Sequence, residues 1–103
     1  APMRIPAPIY TMGTPLANLE LAPMNPGLGK YFGTEEGVLV VNLAPDSRLG
    51  LKPGDVVLSV DGRTLMGPAH LVRVLRSYGA GESFKLRIVR MKKREVVTGQ
   101  VAD

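Results

Sequence analysis

Few side chains in this 103-residue chain could act as a nucleophile or a base. There is one histidine, His70, and no cysteine, which excludes disulfides, zinc–thiolate sites and a cysteine nucleophile. A serine hydrolase needs a serine beside a histidine that a carboxylate orients. None of the four serines lies in a Gly-x-Ser-x-Gly sequence; they are Ser47, Ser59, Ser77 and Ser83. We interpret His70 as an exposed or helix-capping residue and predict a non-catalytic domain.

The acidic residues show no catalytic or metal-binding spacing. Glu35 and Glu36 are adjacent, which is typical of a solvated loop. Asp55 and Asp61 flank a predicted strand, where Asp commonly serves as a turn residue. The sequence therefore predicts neither a metal nor a cofactor.

The net charge is +4, and Lys92, Lys93 and Arg94 form one tight basic cluster. Such clusters can bind nucleic acid or anionic lipid. This one falls at a predicted hairpin turn without aromatic residues for base stacking, so we interpret it as solvated and predict no nucleic-acid partner. No run of 18 apolar residues is present, so no membrane span is predicted, and no signal peptide is visible.

The composition predicts one soluble domain rich in turns, because 45% of the residues are hydrophobic and there are 12 glycines and 9 prolines. Four prolines disfavour helix and central strand at the start: Pro2, Pro6, Pro8 and Pro15. We predict a tail or linker over residues 1–15, with a short edge strand over 9–12, and a domain over 16–103.

The first half of the domain reads as strand, short helix, strand. Leu19 and Leu21 alternate with Glu20, the pattern of a half-buried strand. Asn25 can cap a short helix that Gly33 ends, with three apolar residues facing inward: Leu28, Tyr31 and Phe32. The apolar run over residues 37–43 predicts a strand buried on both faces.

The second half adds a helix and two strands. Gly67 and Pro68 open a helix whose apolar residues recur at spacings of three and four: Leu71, Val72, Val74 and Leu75. Residues 79–81 end it. Strands follow over 84–90 and 95–101, joined by a turn over 91–93.

Residues 49–63 carry the most specific motif. Gly50 and Pro53-Gly54-Asp55 mark turns, residues 56–60 form a β-branched strand, and Asp61-Gly62 reverses the chain. This string resembles the signature of PDZ domains, especially the bacterial type appended to secreted trypsin-like serine proteases. The likeness extends over residues 16–101. It implies an α+β, mainly β fold: a partly open, circularly permuted barrel of five to six strands, capped by one main and one short helix.

The resemblance implies a peptide-binding groove between a strand and the main helix. By its pattern the carboxylate-binding loop is Leu16, Ala17, Asn18 and Leu19, with Asn18 where glycine is usual. The peptide would pair with the strand Leu19, Glu20 and Leu21, whose edge we expect to be unpaired. Pro68 replaces the residue that reads a hydroxyl in one class, so apolar ligands are expected. Val72 and Leu75 either line the groove or serve only as core.

Two functions remain open, and a basic, barrel-like nucleic-acid binder is a third and less favoured one. The first is a peptide-binding module for C-terminal or unfolded segments, within a bacterial, periplasmic or membrane-associated protein related to serine proteases. The second is a structural or scaffolding domain of a larger secreted protein, whose groove is filled internally by residues 5–9. The sequence leaves open the peptide specificity, the parent protein and the oligomeric state.

We expect the isolated chain to show no hydrolase activity, because His70 has no recognisable triad partners. Turnover of a chromogenic ester and of an unfolded protein substrate measures this directly. Turnover that disappears in His70→Ala would contradict the prediction.

Overall fold

The computed structural model describes residues 10–12, 19–44, 47–79 and 81–101. These residues form seven strands and two helices. In chain order the elements are β1 (Tyr10–Met12), β2 (Leu19–Pro23), α1 (Pro26–Phe32), β3 (Val38–Asn42), β4 (Val56–Val60), β5 (Arg63–Thr64), α2 (Pro68–Arg76), β6 (Ser83–Arg90) and β7 (Lys93–Gln100).

The strands form one antiparallel sheet in the order β1-β2-β3-β4-β6-β7, and β5 pairs with β4 beside this path. The predicted α+β, mainly β fold class is confirmed. Strand β1 falls within residues 9–12, where the sequence predicted a short edge strand, and β5 directly follows the Asp61-Gly62 turn.

The core lies on both sides of the sheet, as the apolar run of β3 predicted. Val38 and Val40 belong to the larger cluster, which includes the buried face of α2. Leu39 lies between them in sequence and belongs to the smaller cluster beside α1. This alternation is the strand periodicity of two, so β3 is buried on both faces.

Helix α1 begins and ends as predicted. The Asn25 side chain accepts a hydrogen bond from the Leu28 N–H at 2.8 Å, and Gly33 adopts the left-handed conformation with φ 85°. The expectation that Tyr31 packs inward was wrong, since it is 62% exposed. Leu28 and Phe32 lie four residues apart on one face, whereas Tyr31 is turned about 100° from Phe32.

Helix α2 begins at Pro68 as predicted and ends earlier than predicted. Its last residue is Arg76, and Ser77 forms the C-cap with its hydroxyl donating to the Val74 carbonyl. At the other end, His70 Nδ1 accepts the Met66 N–H at 3.0 Å. Met66 precedes the N-cap residue Gly67, so this bond ties His70 to the segment before α2 and caps no N–H of the helix.

The β6–β7 turn contains two residues instead of the predicted three. Met91 and Lys92 both have positive φ, at 52° and 64°, so β7 starts at Lys93. The side chains of the basic cluster at this tip are exposed, as the solvated interpretation predicted.

The far end of β7 contacts the loop that precedes β4. The Gln100 N–H donates to the Arg48 carbonyl at 2.8 Å. Any side chain at Gly99 would overlap the Leu49 carbonyl, so glycine permits this close approach of two backbones. Val101 exchanges backbone hydrogen bonds with residues 81 and 82, at 3.0 Å each.

The loop over residues 49–55, here called the motif loop, is organised by Asp55, which is 1% exposed. Its carboxylate accepts the Lys52 N–H at 2.8 Å, and Arg90 donates to both carboxylate oxygens, from Nε at 2.9 Å and Nη2 at 2.7 Å. Arg90 Nη2 also donates to the Gly50 carbonyl at 3.1 Å. Donation of these hydrogen bonds to the Asp55 carboxylate raises the pKa of the Arg90 guanidinium.

The Asp61-Gly62 turn has positive φ at both residues, 47° and 84°, as required for a tight hairpin of this kind. The Asp61 carboxylate accepts hydrogen bonds from the Tyr78 hydroxyl and from the Lys85 N–H. Both hydrogen bonds favour the ionised carboxyl and hold the pKa of Asp61 below its ordinary value. The bond from Tyr78 contributes most to this shift.

Replacing Arg90 with methionine should destabilise the domain strongly, because the buried Asp55 carboxylate would lose its counter-ion. We expect a loss of about 3 kcal/mol in the free energy of unfolding, measured with urea. Arg87→Met is the matched control, an exposed arginine on the same strand that should change stability by less than about 0.5 kcal/mol. Equal losses in the two variants would contradict the assignment.

Tyr78→Phe should raise the pKa of Asp61 towards its ordinary value of 3.8, because the largest stabilising hydrogen bond is removed. A folded pKa below the unfolded one means that ionised Asp61 stabilises the fold above about pH 4. This contribution is lost as the pH falls through the folded pKa. Carboxyl NMR titration of both proteins measures the change, and an unshifted Asp61 titration in Tyr78→Phe would refute the explanation.

Candidate functional site

The structure brings together four of the residues predicted to form the groove. Leu19 and Leu21 of β2, together with Val72 and Leu75 of α2, belong to one hydrophobic cluster. Their exposed fractions are 1%, 0%, 8% and 1%, in that order. Strand and helix therefore face each other through apolar side chains, and Val72 and Leu75 belong to the core.

The local sequence explains this arrangement. Alternation along β2 directs Leu19 and Leu21 to the same face of the sheet, while Glu20 is only half-buried. Val72 and Leu75 are three residues apart and share the apolar face of α2. The result is an apolar region bordered by a strand and a helix.

Of the remaining predicted site residues, Pro68 is the one that the structure describes. Pro68 is the first residue of α2 and is buried, which agrees with its predicted place at the helix start. Leu16, Ala17 and Asn18 lie outside the described residues. Their role in binding a terminal carboxylate stays a prediction.

The expected unpaired edge of β2 is occupied. Strand β1 pairs antiparallel with β2, with Tyr10 opposite Leu21, Thr11 opposite Glu20 and Met12 opposite Leu19. The other edge of β2 pairs with β3 from Glu20 onwards. An exposed edge offers free N–H and C=O groups to any nearby extended segment, and the short intervening segment keeps β1 close.

Sequence reasoning identified an edge strand near residues 9–12 but not its partner. The available signal was a second short strand only six residues further on, with Gly13 and Pro15 between them. A connection of six residues is short enough to join neighbouring antiparallel strands. The proposed filling of the groove by residues 5–9 concerns residues outside the described part of the chain.

A separate cavity of about 540 Å³ lies away from these residues. It is bounded by the segment after α1, by β4, by the segment before α2 and by two arginines of β6 and β7. The lining residues are Pro23, Met24, Thr34, Glu35, Glu36, Gly37, Leu58, Ser59, Thr64, Leu65, Met66, Gly67, Arg87 and Arg94. Its mixed acidic and basic lining differs from the apolar region between β2 and α2.

Two further findings limit the chemistry of the described residues. They contain no group of three His, Asp or Glu side chains placed to hold a metal ion. None of the helices in the described ranges has both the length and the apolar character needed to cross a membrane.

An antiparallel sheet with an apolar region between one strand and the main helix defines a class of protein-interaction domains. Residues 47–90 match the family model described as PDZ domain. Residues 47–90 therefore match the PDZ domain family, which confirms the resemblance seen in the sequence.

Related proteins are bacterial proteases. The chain is 35% identical over 88 residues to a protein of Halomonas elongata named "Probable periplasmic serine endoprotease DegP-like", covering 81% of this chain and 19% of that protein. It is 34% identical over 88 residues to a protein of the same name from Pseudomonas putida, covering 78% of this chain and 18% of that one. The magnetosome formation protease MamE of Paramagnetospirillum magneticum is 34% identical over 80 residues, covering 73% of this chain and 11% of MamE.

The chain thus spans about a fifth or less of the length of these relatives. PDZ domains are non-catalytic interaction modules, and residues 47–90 match one.

Proposed function

We propose that this PDZ domain binds extended C-terminal or unfolded segments of other proteins. The bound segment would add as a strand to β2, beside α2. Main-chain hydrogen bonds would supply much of the affinity, and side-chain contacts would supply the specificity.

The pairing of β1 with β2 is the observation that carries this proposal. It places a three-residue antiparallel strand along residues 19–21, the segment at which a peptide would add. The edge of β2 is thus able to accept an added strand in the antiparallel direction. A peptide from another protein would make the same type of backbone contact.

The side chains nearby favour an apolar ligand. Leu19, Leu21, Val72 and Leu75 provide aliphatic surface, so a charged peptide side chain placed among them would lose hydration without a partner. Pro68 has no N–H and its ring cannot bind a hydroxyl, which supports apolar over hydroxylated ligands.

Recognition of the peptide terminus is the finer part of the proposal. By family resemblance, the backbone N–H groups of residues 16–19 would bind the terminal carboxylate. Asn18 suits such a loop because asparagine tolerates positive φ better than most residues other than glycine. With its carboxylate held there, the peptide would place its last side chain against β2 and α2.

The relatives support a setting for this activity. Two carry the word periplasmic in their names, and all three are named as proteases. We infer that this domain works outside the cytoplasm as a substrate-recognising or regulatory part of a larger protease.

A labelled peptide ending in valine should bind with a Kd of about 1 to 10 µM, roughly −7 to −8 kcal/mol. Val72→Asp should weaken binding at least about tenfold, because it places a charge in an apolar region. Arg73→Asp is the matched control on the exposed face of α2 and should bind normally. Fluorescence anisotropy measures affinity, and circular dichroism checks that each variant folds.

Val72 is a core residue, so a second comparison leaves the protein unchanged. Amidating the peptide terminus should weaken binding to the unchanged protein. In a separate variant, Asn18→Gly should preserve or improve peptide binding, since glycine removes strain at positive φ. Equal binding of free and amidated peptides would reject the carboxylate contact. Absence of binding by any apolar peptide, to this chain or to one without residues 1–15, would reject the proposed function.

A further inference from the structure

We propose that β1 is a tethered competitor of the peptide, so that the domain regulates its own groove. The inference rests on the proposed function, because it concerns access to the same strand edge. In the state described by the structure the groove is closed, and a peptide binds only after residues 10–12 leave β2.

The register shows the overlap directly. Residues 19–21 are the predicted peptide-binding strand, and each has a partner in β1. Glu20 and Leu21 also have partners in β3 on the opposite edge. With β1 in place, β2 has strands on both sides at these two residues, so no further strand can pair with them.

The length of β1 suits a reversible competitor. It contributes three register pairs, whereas the structural β6–β7 pairing contributes eight. Three residues form few hydrogen bonds, and ordering them opposes their association. Six intervening residues give β1 a high effective concentration at the edge of β2, which favours binding in spite of the short contact.

Closure lowers the apparent affinity for peptide in a defined way. The apparent Kd equals the intrinsic Kd divided by the fraction of molecules in the open state. Any interaction that holds residues 10–12 elsewhere would increase that fraction and tighten peptide binding. The segment therefore couples peptide affinity to whatever contacts the chain on its N-terminal side.

A reversible covalent lock tests this in the full chain. Thr11 and Glu20 are register partners across β1 and β2, and the natural sequence has no cysteine to interfere. The double variant Thr11→Cys with Glu20→Cys can therefore be held closed by oxidation and released by a reductant. The probe is the labelled peptide ending in valine, and Thr11→Cys alone is the control.

We expect the oxidised double variant to bind peptide at least about tenfold more weakly than the same protein after reduction. The single-cysteine control should bind equally in both conditions. Equal peptide binding by the oxidised and reduced double variant, with the disulfide confirmed by mass spectrometry, would overturn the competitor role and leave the proposed function intact.

A chain without residues 1–12 gives an independent measurement. It should remain folded and bind the same peptide about fivefold or more tightly than the full chain. Affinity equal to that of the full chain would overturn the inference. Unfolding upon deletion would also overturn it, because β1 would then be a structural strand. Folded protein that binds no apolar peptide would instead reject the proposed function itself.

Discussion

The buried Asp55 carboxylate and its ion pair with Arg90 constrain the whole domain. A charge removed from water is tolerated only when it is paired and hydrogen-bonded. Arg90 lies 35 residues further along the chain, so the motif loop, β4 and the end of β6 must assemble together. The same loop donates the Gly54 N–H to the Val40 carbonyl at 2.8 Å, which ties β3 to it. The sheet that supports β2 and α2 therefore depends on this one carboxylate.

In the proposed function, peptide recognition depends on how the edge of β2 is used. The side chains between β2 and α2 are buried, so their contribution to recognition depends on what lies along the β2 backbone. In the structure, β1 lies along the β2 backbone. Under the two proposals, selectivity has two parts: the apolar character of the groove, and the competition between an internal and an external strand for the same hydrogen-bonding groups.

The sequence predicted most of the fold because its signals were local. Asn25, Gly33, Pro68 and the Asp61-Gly62 turn each specify a conformation through their own backbone or side-chain chemistry. Two expectations failed: the inward packing of Tyr31 and the unpaired edge of β2. The first misjudged the helix face, since Tyr31 lies about 100° around α1 from Phe32. The second could not be predicted from periodicity, because a three-residue strand has no distinctive pattern and any nearby edge can accept it. The carboxylate loop came from family resemblance alone, and residues 16–18 lie outside the described ranges.

The anchoring of β7 has a consequence for biosynthesis. Gly99 and Gln100 contact the loop before β4, and Val101 is hydrogen-bonded to residues 81 and 82. A nascent chain that has emerged only as far as β6 lacks these contacts and exposes the unpaired edge of β6 to other chains. Completion of the sheet must wait until residues 99–101 are free to pair. Until then the unpaired edge of β6 can pair with other chains.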